Sequence, residues 1–138
     1  MNIIWKKTDD TLAVTSIFDE TTSSSEHAVL LKERGDIDPE WVAVGFDVET
    51  FPDWEVQEDF RWVDNAIVIS LSSAKESTKS RLRRERAPLL EVQDILFQRA
   101  LESGSDTTAI VSEKQRLRDI TTLADAATTI EELRVIHP

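Results

Sequence analysis

The hydrophobic period of this chain changes once, near position 72. Upstream, apolar residues come in short runs rich in Val, Ile and Trp, broken by Asp, Asn, Gly and Pro, as in strands joined by turns. Downstream they recur every three or four residues, as on amphipathic helices. A chain of 138 residues has room for one ordinary domain or two very small ones. A single switch of period over that length predicts an α+β protein whose strands and helices are segregated along the sequence.

Charge changes at the same place. Residues 1 to 72 hold 5 Lys/Arg against 16 Asp/Glu, whereas residues 73 to 138 hold 11 of each, so the first part carries the whole net charge of -11. With Ser70-Leu71-Ser72-Ser73 at the junction, the coincidence predicts an acidic α+β module over 1–72, a polar Arg/Lys-rich connector helix over 73–87, and a helical hairpin with a terminal helix over 88–138. The acidic module is expected to repel nucleic acid and anionic lipid, which require a cationic face, and to suit a partner with a basic or apolar one.

The N-terminal module reads as β-β-α-β-β-β. Ile3-Ile4-Trp5 and Leu12 to Phe18 form a first hairpin around the turn chemistry of Thr8 to Thr11. Ser23, Ser24 or Ser25 can cap a helix over Glu26–Arg34, with Ala28, Leu31 and Val29 or Leu30 facing inward and Gly35 past its end. Trp41 to Asp47 reads as a third strand, and Phe60–Val63 and Ala66–Ser70 as a second hairpin around Asp64-Asn65. Trp5, Trp41 and Trp62 lie in or beside these strands and are expected in the core. Residues 49 to 55 have no period and read as an acidic loop holding Phe51, Pro52 and Trp54. Two large aromatics in a loop either tuck under it or mark a contact, which makes Phe51 and Trp54 the candidate partner-binding residues.

In the C-terminal part, Ala74 to Arg86 is polar enough to be a solvated helix, and Pro88 is expected to start or kink a new one. Leu89, Leu90, Ile95, Leu96, Phe97, Ala100 and Leu101 form its apolar stripe, and Ser103 to Asp106 its stop. A third helix over about 107–120 places Ile110, Val111, Lys114, Leu117 and Ile120 at helical spacing, with Asp94 and Arg118 facing each other across the hairpin. Leu89, Leu90, Phe97 and Leu117 are assigned to its core, and ion pairs within the hairpin are the expected use of the Arg83 to Arg118 cations. Thr128 and Thr129, three residues before Glu131 and Glu132, open a last short helix.

Four blocks in order, Arg83-Arg84-Glu85-Arg86-Ala87-Pro88-Leu89-Leu90, Ala100-Leu101-Glu102-Ser103-Gly104, Glu113 to Thr121 with its Arg118-Asp119-Ile120-Thr121, and Thr129-Ile130-Glu131-Glu132-Leu133, resemble the C-terminal half of small tailed-bacteriophage proteins, the tail assembly chaperones and tail fibre assembly proteins. The resemblance covers about residues 74 to 138. The closing Trp-Pro that some members carry is replaced here by Ile136-His137-Pro138. It implies a phage protein that binds a tail or tail fibre subunit in the host cytoplasm, as a temporary assembly partner or as a part kept in the virion, with self-association as a further option.

Site chemistry is sparse. Zero cysteines exclude disulfides, thiolate zinc sites and thiol nucleophiles. His27 and His137 stand 110 positions apart, Asp36-Ile37-Asp38-Pro39-Glu40 lacks the pattern of a calcium loop, and three glycines form no phosphate cradle. No catalytic residue, metal or cofactor is therefore expected, nor, without an apolar run of membrane length, a membrane span or secretory signal. The runner-up is an acidic regulatory inhibitor that covers a basic, nucleic-acid-binding site of another protein.

Overall fold

The computed structural model describes residues 1–19 and 21–138. The described chain is α+β and divides into two units, Met1–Ser70 and Leu71–Pro138.

In the first unit, β1 (Asn2–Lys6) lies between β2 (Leu12–Ser16) and β3 (Val42–Phe46), antiparallel to both. Its Ile3, Ile4 and Trp5 are all fully buried because a central strand covered on both faces has no solvent side. Ile3 and Trp5 join Ile17 and Ala28 under α1 (Ser24–Glu33). Ile4 points the other way and joins Leu12, Phe60 and Ile67 under the hairpin of β4 (Phe60–Val63) and β5 (Ala66–Ile69). Trp5 keeps its indole N–H satisfied by Thr15 Oγ1 at 3.0 Å. Trp41 and Trp62 pack partly buried against these two clusters.

Local chemistry sets the joints. Ser23 and Glu26 form a full capping box on α1, and Gly35 takes φ +76° beyond its end. Of the inward positions expected on α1, Ala28 is buried and Leu31 half-buried, whereas Val29 and Leu30 are exposed. Asp64 and Asn65 both adopt positive φ, which gives the two-residue turn a twist matching its strands. On β3 the register slips between the partners of Ile4 and Trp5, and a Cβ at Gly45 would lie 2.5 Å from the Trp62 ring. Glycine there lets the second hairpin approach the sheet closely.

In the second unit, α2 (Leu71–Ser103) and α3 (Thr108–Ala126) form an antiparallel pair, and α4 (Ile130–Arg134) packs on α2. Two expectations are corrected. First, Pro88 neither ends nor begins a helix: α2 runs unbroken through it, so residues 73–87 and 88–103 are one rod rather than a connector and a hairpin arm. Second, the polar segment is the better buried of the two. Ala74, Thr78 and Leu82 form an i, i+4, i+8 stripe that packs away its small and medium side chains while the Lys and Arg heads remain outside. Within the expected core stripe, Leu117 is fully buried and Leu90 and Phe97 are half-buried, but Leu89 and Val111 are exposed.

Polar clamps fix the register of α2 against α3. Lys79 Nζ reaches Asp125 Oδ1 at 2.8 Å, and Lys75 donates to the Asp125 carbonyl at 2.9 Å. Arg86 donates to the carbonyls of Leu117 and Arg118 at 3.2 and 2.6 Å. Asp94 pairs with Lys114 at 2.6 Å, and not with Arg118 as the spacing suggested. Lys114 lies one helical turn nearer the loop, level with Asp94 in this register. Thr129 caps α4, and Glu132 accepts the Thr128 N–H at 2.6 Å.

Candidate functional site

The acidic loop begins at a node that ties three elements together. Asp47, in the left-handed region at φ +52°, ends β3 and accepts hydrogen bonds from the Asn2 N–H at 3.1 Å and the Ser24 hydroxyl at 2.6 Å. The Ser24 bond, helped by the Asn2 N–H and the positive N-terminus, holds the Asp47 carboxyl below the ordinary aspartate range against a smaller opposing effect of desolvation. The Asn2 side chain in turn pairs in both directions with the Val48 main chain, at 2.8 and 2.9 Å. The loop thus leaves the sheet from a fixed point.

From that point the two candidate aromatics part. Trp54 turns inward, packing on the cluster of Ile4, Leu12, Phe60 and Ile67, and its indole N–H donates to the buried Asp59 carboxylate at 2.7 Å. It tucks under the loop and pins it. Phe51 is exposed and lines a shallow open depression of about 530 Å³ with Met1, Asn2, Asp47, Val48 and Glu49. Met1, Val48 and Phe51 supply apolar lining, and Asp47 and Glu49 supply two carboxylates, the first of them facing the N-terminal ammonium. This combination suits an apolar side chain flanked by a base.

The other sequence candidates resolve into local structure. Asp9, Asp19 and Asp106 each accept the main-chain N–H and hydroxyl of the threonine two residues on, which lowers their pKa values and closes turns. Arg116 pairs with Glu113 along α3, and Arg81 pairs with Glu85 along α2 while also donating to the Ile136 carbonyl at 2.9 Å. His27 lies on α1 with Nδ1 3.2 Å from the Ser23 carbonyl, and His137 lies beside Arg81. Among the described residues no group of three or more His, Asp or Glu is placed to hold a metal ion, and no helix is long and apolar enough to cross a membrane.

One surface escapes sequence reasoning. Leu89, Ile95 and Leu96 of α2 belong to the apolar stripe expected on this helix, and Leu89 was assigned to its core, yet all three are exposed, together with Val92 beside them. The stripe is wider than the seam a single partner helix can cover, and its width was the available signal. Comparison with protein-family models, curated proteins and solved structures finds no match in any of the three.

Proposed function

We propose that this chain is a bacteriophage tail or tail fibre associated protein that acts by binding another protein, as an assembly partner or as a virion component. The observation that carries the reading is the position of the four resembling blocks. All fall within one folded unit: Arg86 on α2 clamps α3, Gly104 turns between the helices at φ +67°, Arg116 to Thr121 on α3 contain the two carbonyls that Arg86 clamps, and Thr129 opens α4 as its cap. The acidic unit supplies the contact surface in this reading, through the depression beside Phe51.

Co-expression of the full chain with individual tail and tail fibre proteins, followed by co-purification, tests the proposal, and mass spectrometry of purified particles separates a retained component from a transient one. Capture of no tail or fibre protein would overturn it. Phe51→Ala should weaken capture by about 2 kcal/mol with an unchanged melting temperature, as for an aromatic anchor. Trp54→Ala should do the reverse, costing about 2 to 3 kcal/mol of stability through lost packing and a lost indole donor. If both variants lower stability and neither alters capture, the depression is not the contact.

The net charge of -11 confined to the first unit favours a second reading, the acidic inhibitor of a basic site. Its signature would be binding to a nucleic-acid-binding protein that weakens steeply with salt and is competed by the nucleic acid.

A further inference from the structure

We infer that the exposed face of α2 beyond Pro88 is a self-association surface on which a second copy of this chain docks antiparallel about Val92. Leu89, Val92, Ile95 and Leu96 recur at i, i+3, i+6 and i+7 on one side of the helix, and 41, 52, 52 and 41% of their surfaces are exposed. This side is turned roughly a third of the way round the helix from the one that meets α3, which carries Arg86, Leu90, Phe97 and Ala100. The four residues expose on the order of 300 Å² of apolar surface, the size at which the largest patch of a monomer begins and is often functional. The stems of Pro88, Glu85 and Arg99 extend that footprint toward the roughly 500 Å² per subunit that a small but specific interface needs.

Charge placement selects the occupant. Glu85, which shares its carboxylate with Arg81 of its own helix at 2.9 Å, lies seven residues before Val92 and Arg99 seven residues after it, each two helical turns, about 10.5 Å, from the centre and on the same side. A two-fold axis through Val92 brings Glu85 of one copy opposite Arg99 of the other, twice over, and sets the Pro88 level against the Leu96 level between them. A parallel arrangement in register would instead set Glu85 on Glu85 and Arg99 on Arg99. The unit itself is electrically balanced, with 11 cationic and 11 anionic residues from 71 to 138, so two copies meet without net repulsion there. A uniformly basic or acidic partner would find one end of the face wrong. The inference concerns the second unit alone and stands whether or not the further partner is a tail protein.

Sedimentation equilibrium of the full chain tests it, with a monomer–dimer Kd expected on the order of micromolar for a face of this size. Val92→Lys, which would set two ammonium groups face to face, should raise that Kd about 100-fold with an unchanged helical signal. Arg99→Glu alone should weaken the dimer about tenfold, and adding Glu85→Arg to it should restore the dimer by exchanging the charges across the axis. Because the chain has no cysteine, Val92→Cys should cross-link to itself on oxidation, whereas Val111→Cys on α3 should not. A monomer at every concentration up to about 100 µM would overturn the inference, since such a face would then serve a different partner. So would equal cross-linking at both cysteines, or a double charge exchange that fails to restore what the single change removed.

Discussion

At the end of the hairpin that receives α4, Ala74, Thr78 and Leu82 are buried with Leu117, Ile120 and Ala124 of α3, and Ala127, Leu133 and Ile136 close the cluster from behind. At the loop end, where α2 and α3 have no third helix over them, Ala100 alone of the described residues is buried, and Leu89, Val92, Ile95, Leu96, Leu101 and Val111 are exposed. The sequence ranks the two ends the other way round, because the segment before Pro88 is rich in Lys and Arg and the segment after it is rich in Leu, Ile and Val. Burial is decided by the number of layers that meet, and a helix pair offers only one narrow seam. Small side chains at the end with three helices therefore disappear from solvent, while large ones at the end with two remain outside. Apolar residues left exposed by architecture rather than by composition are the ones available to another chain.

The largest expected effect would come from placing the same charge at each end. Leu117→Asp puts a carboxylate into a fully buried site among Leu82 and its neighbours, and should cost a large part of the roughly 5 to 15 kcal/mol that holds a domain this size. Loss of the helical circular dichroism of the second unit is the expected reading. Leu96→Asp, on the exposed face, should leave that signal and the melting temperature within a few degrees of the parent. If both substitutions unfold the unit, the loop end is as well packed as the other and the contrast is void.

A smaller effect tests the point where the two ends meet. Pro88 lacks the N–H that would donate to the Arg84 carbonyl, and its ring crowds that turn, at a cost of up to about 3 kcal/mol inside a helix. Pro88→Ala should therefore raise the melting temperature, by an amount equivalent to about 1 to 3 kcal/mol. A fall instead would show that Pro88 contributes to the packing of α2 more than its missing N–H costs.

How much of this was legible follows from the range of each signal. Capping and turn chemistry act over three or four residues, so Ser23 with Glu26, Asp64 with Asn65, Gly104, and Thr129 with Glu132 announce their elements correctly. The first hairpin and the burial of Trp5 are legible in the short apolar runs, but the order β2-β1-β3, with β1 in the centre, is not, because a run of Ile3-Ile4-Trp5 does not name its neighbours. Pro88 misleads because proline's local penalty is outweighed by tertiary contacts on either side of it, Arg86 to α3 and Asp94 to Lys114. The fate of Trp54 is undecidable locally: its inward turn depends on Asp59, a carboxylate whose burial no local pattern announces. Asp94 was matched to Arg118 because helical spacing fixes a face but leaves the register between two helices open by a turn.

The smallest expected effect concerns pH and the clamp at the end with three helices. At the end with three helices, the Lys79 ammonium holds the Asp125 carboxyl below the ordinary aspartate range, chiefly by a hydrogen bond and secondarily by charge, with Lys75 and Arg83 adding to the field. Asp125 and Glu76 together raise the Lys79 pKa by the same bonds. A carboxyl whose folded pKa is depressed contributes stability that is complete above its unfolded value and is lost as pH falls through the folded one. A lysine whose folded pKa is raised contributes stability that is complete below its unfolded value and is lost as pH rises through the folded one. The clamp therefore contributes across the whole neutral range and fails only at the two extremes. Lys79 is largely covered but its partner Asp125 is open to solvent, so the loss at either extreme should be small. Thermal melts of Asp125→Asn against the parent should show a modest deficit at pH 7 that vanishes as the buffer is taken well below pH 4, where the parent carboxyl is itself neutral. A deficit that persists undiminished in acid would mean that Asp125 acts through its packing and not through its charge.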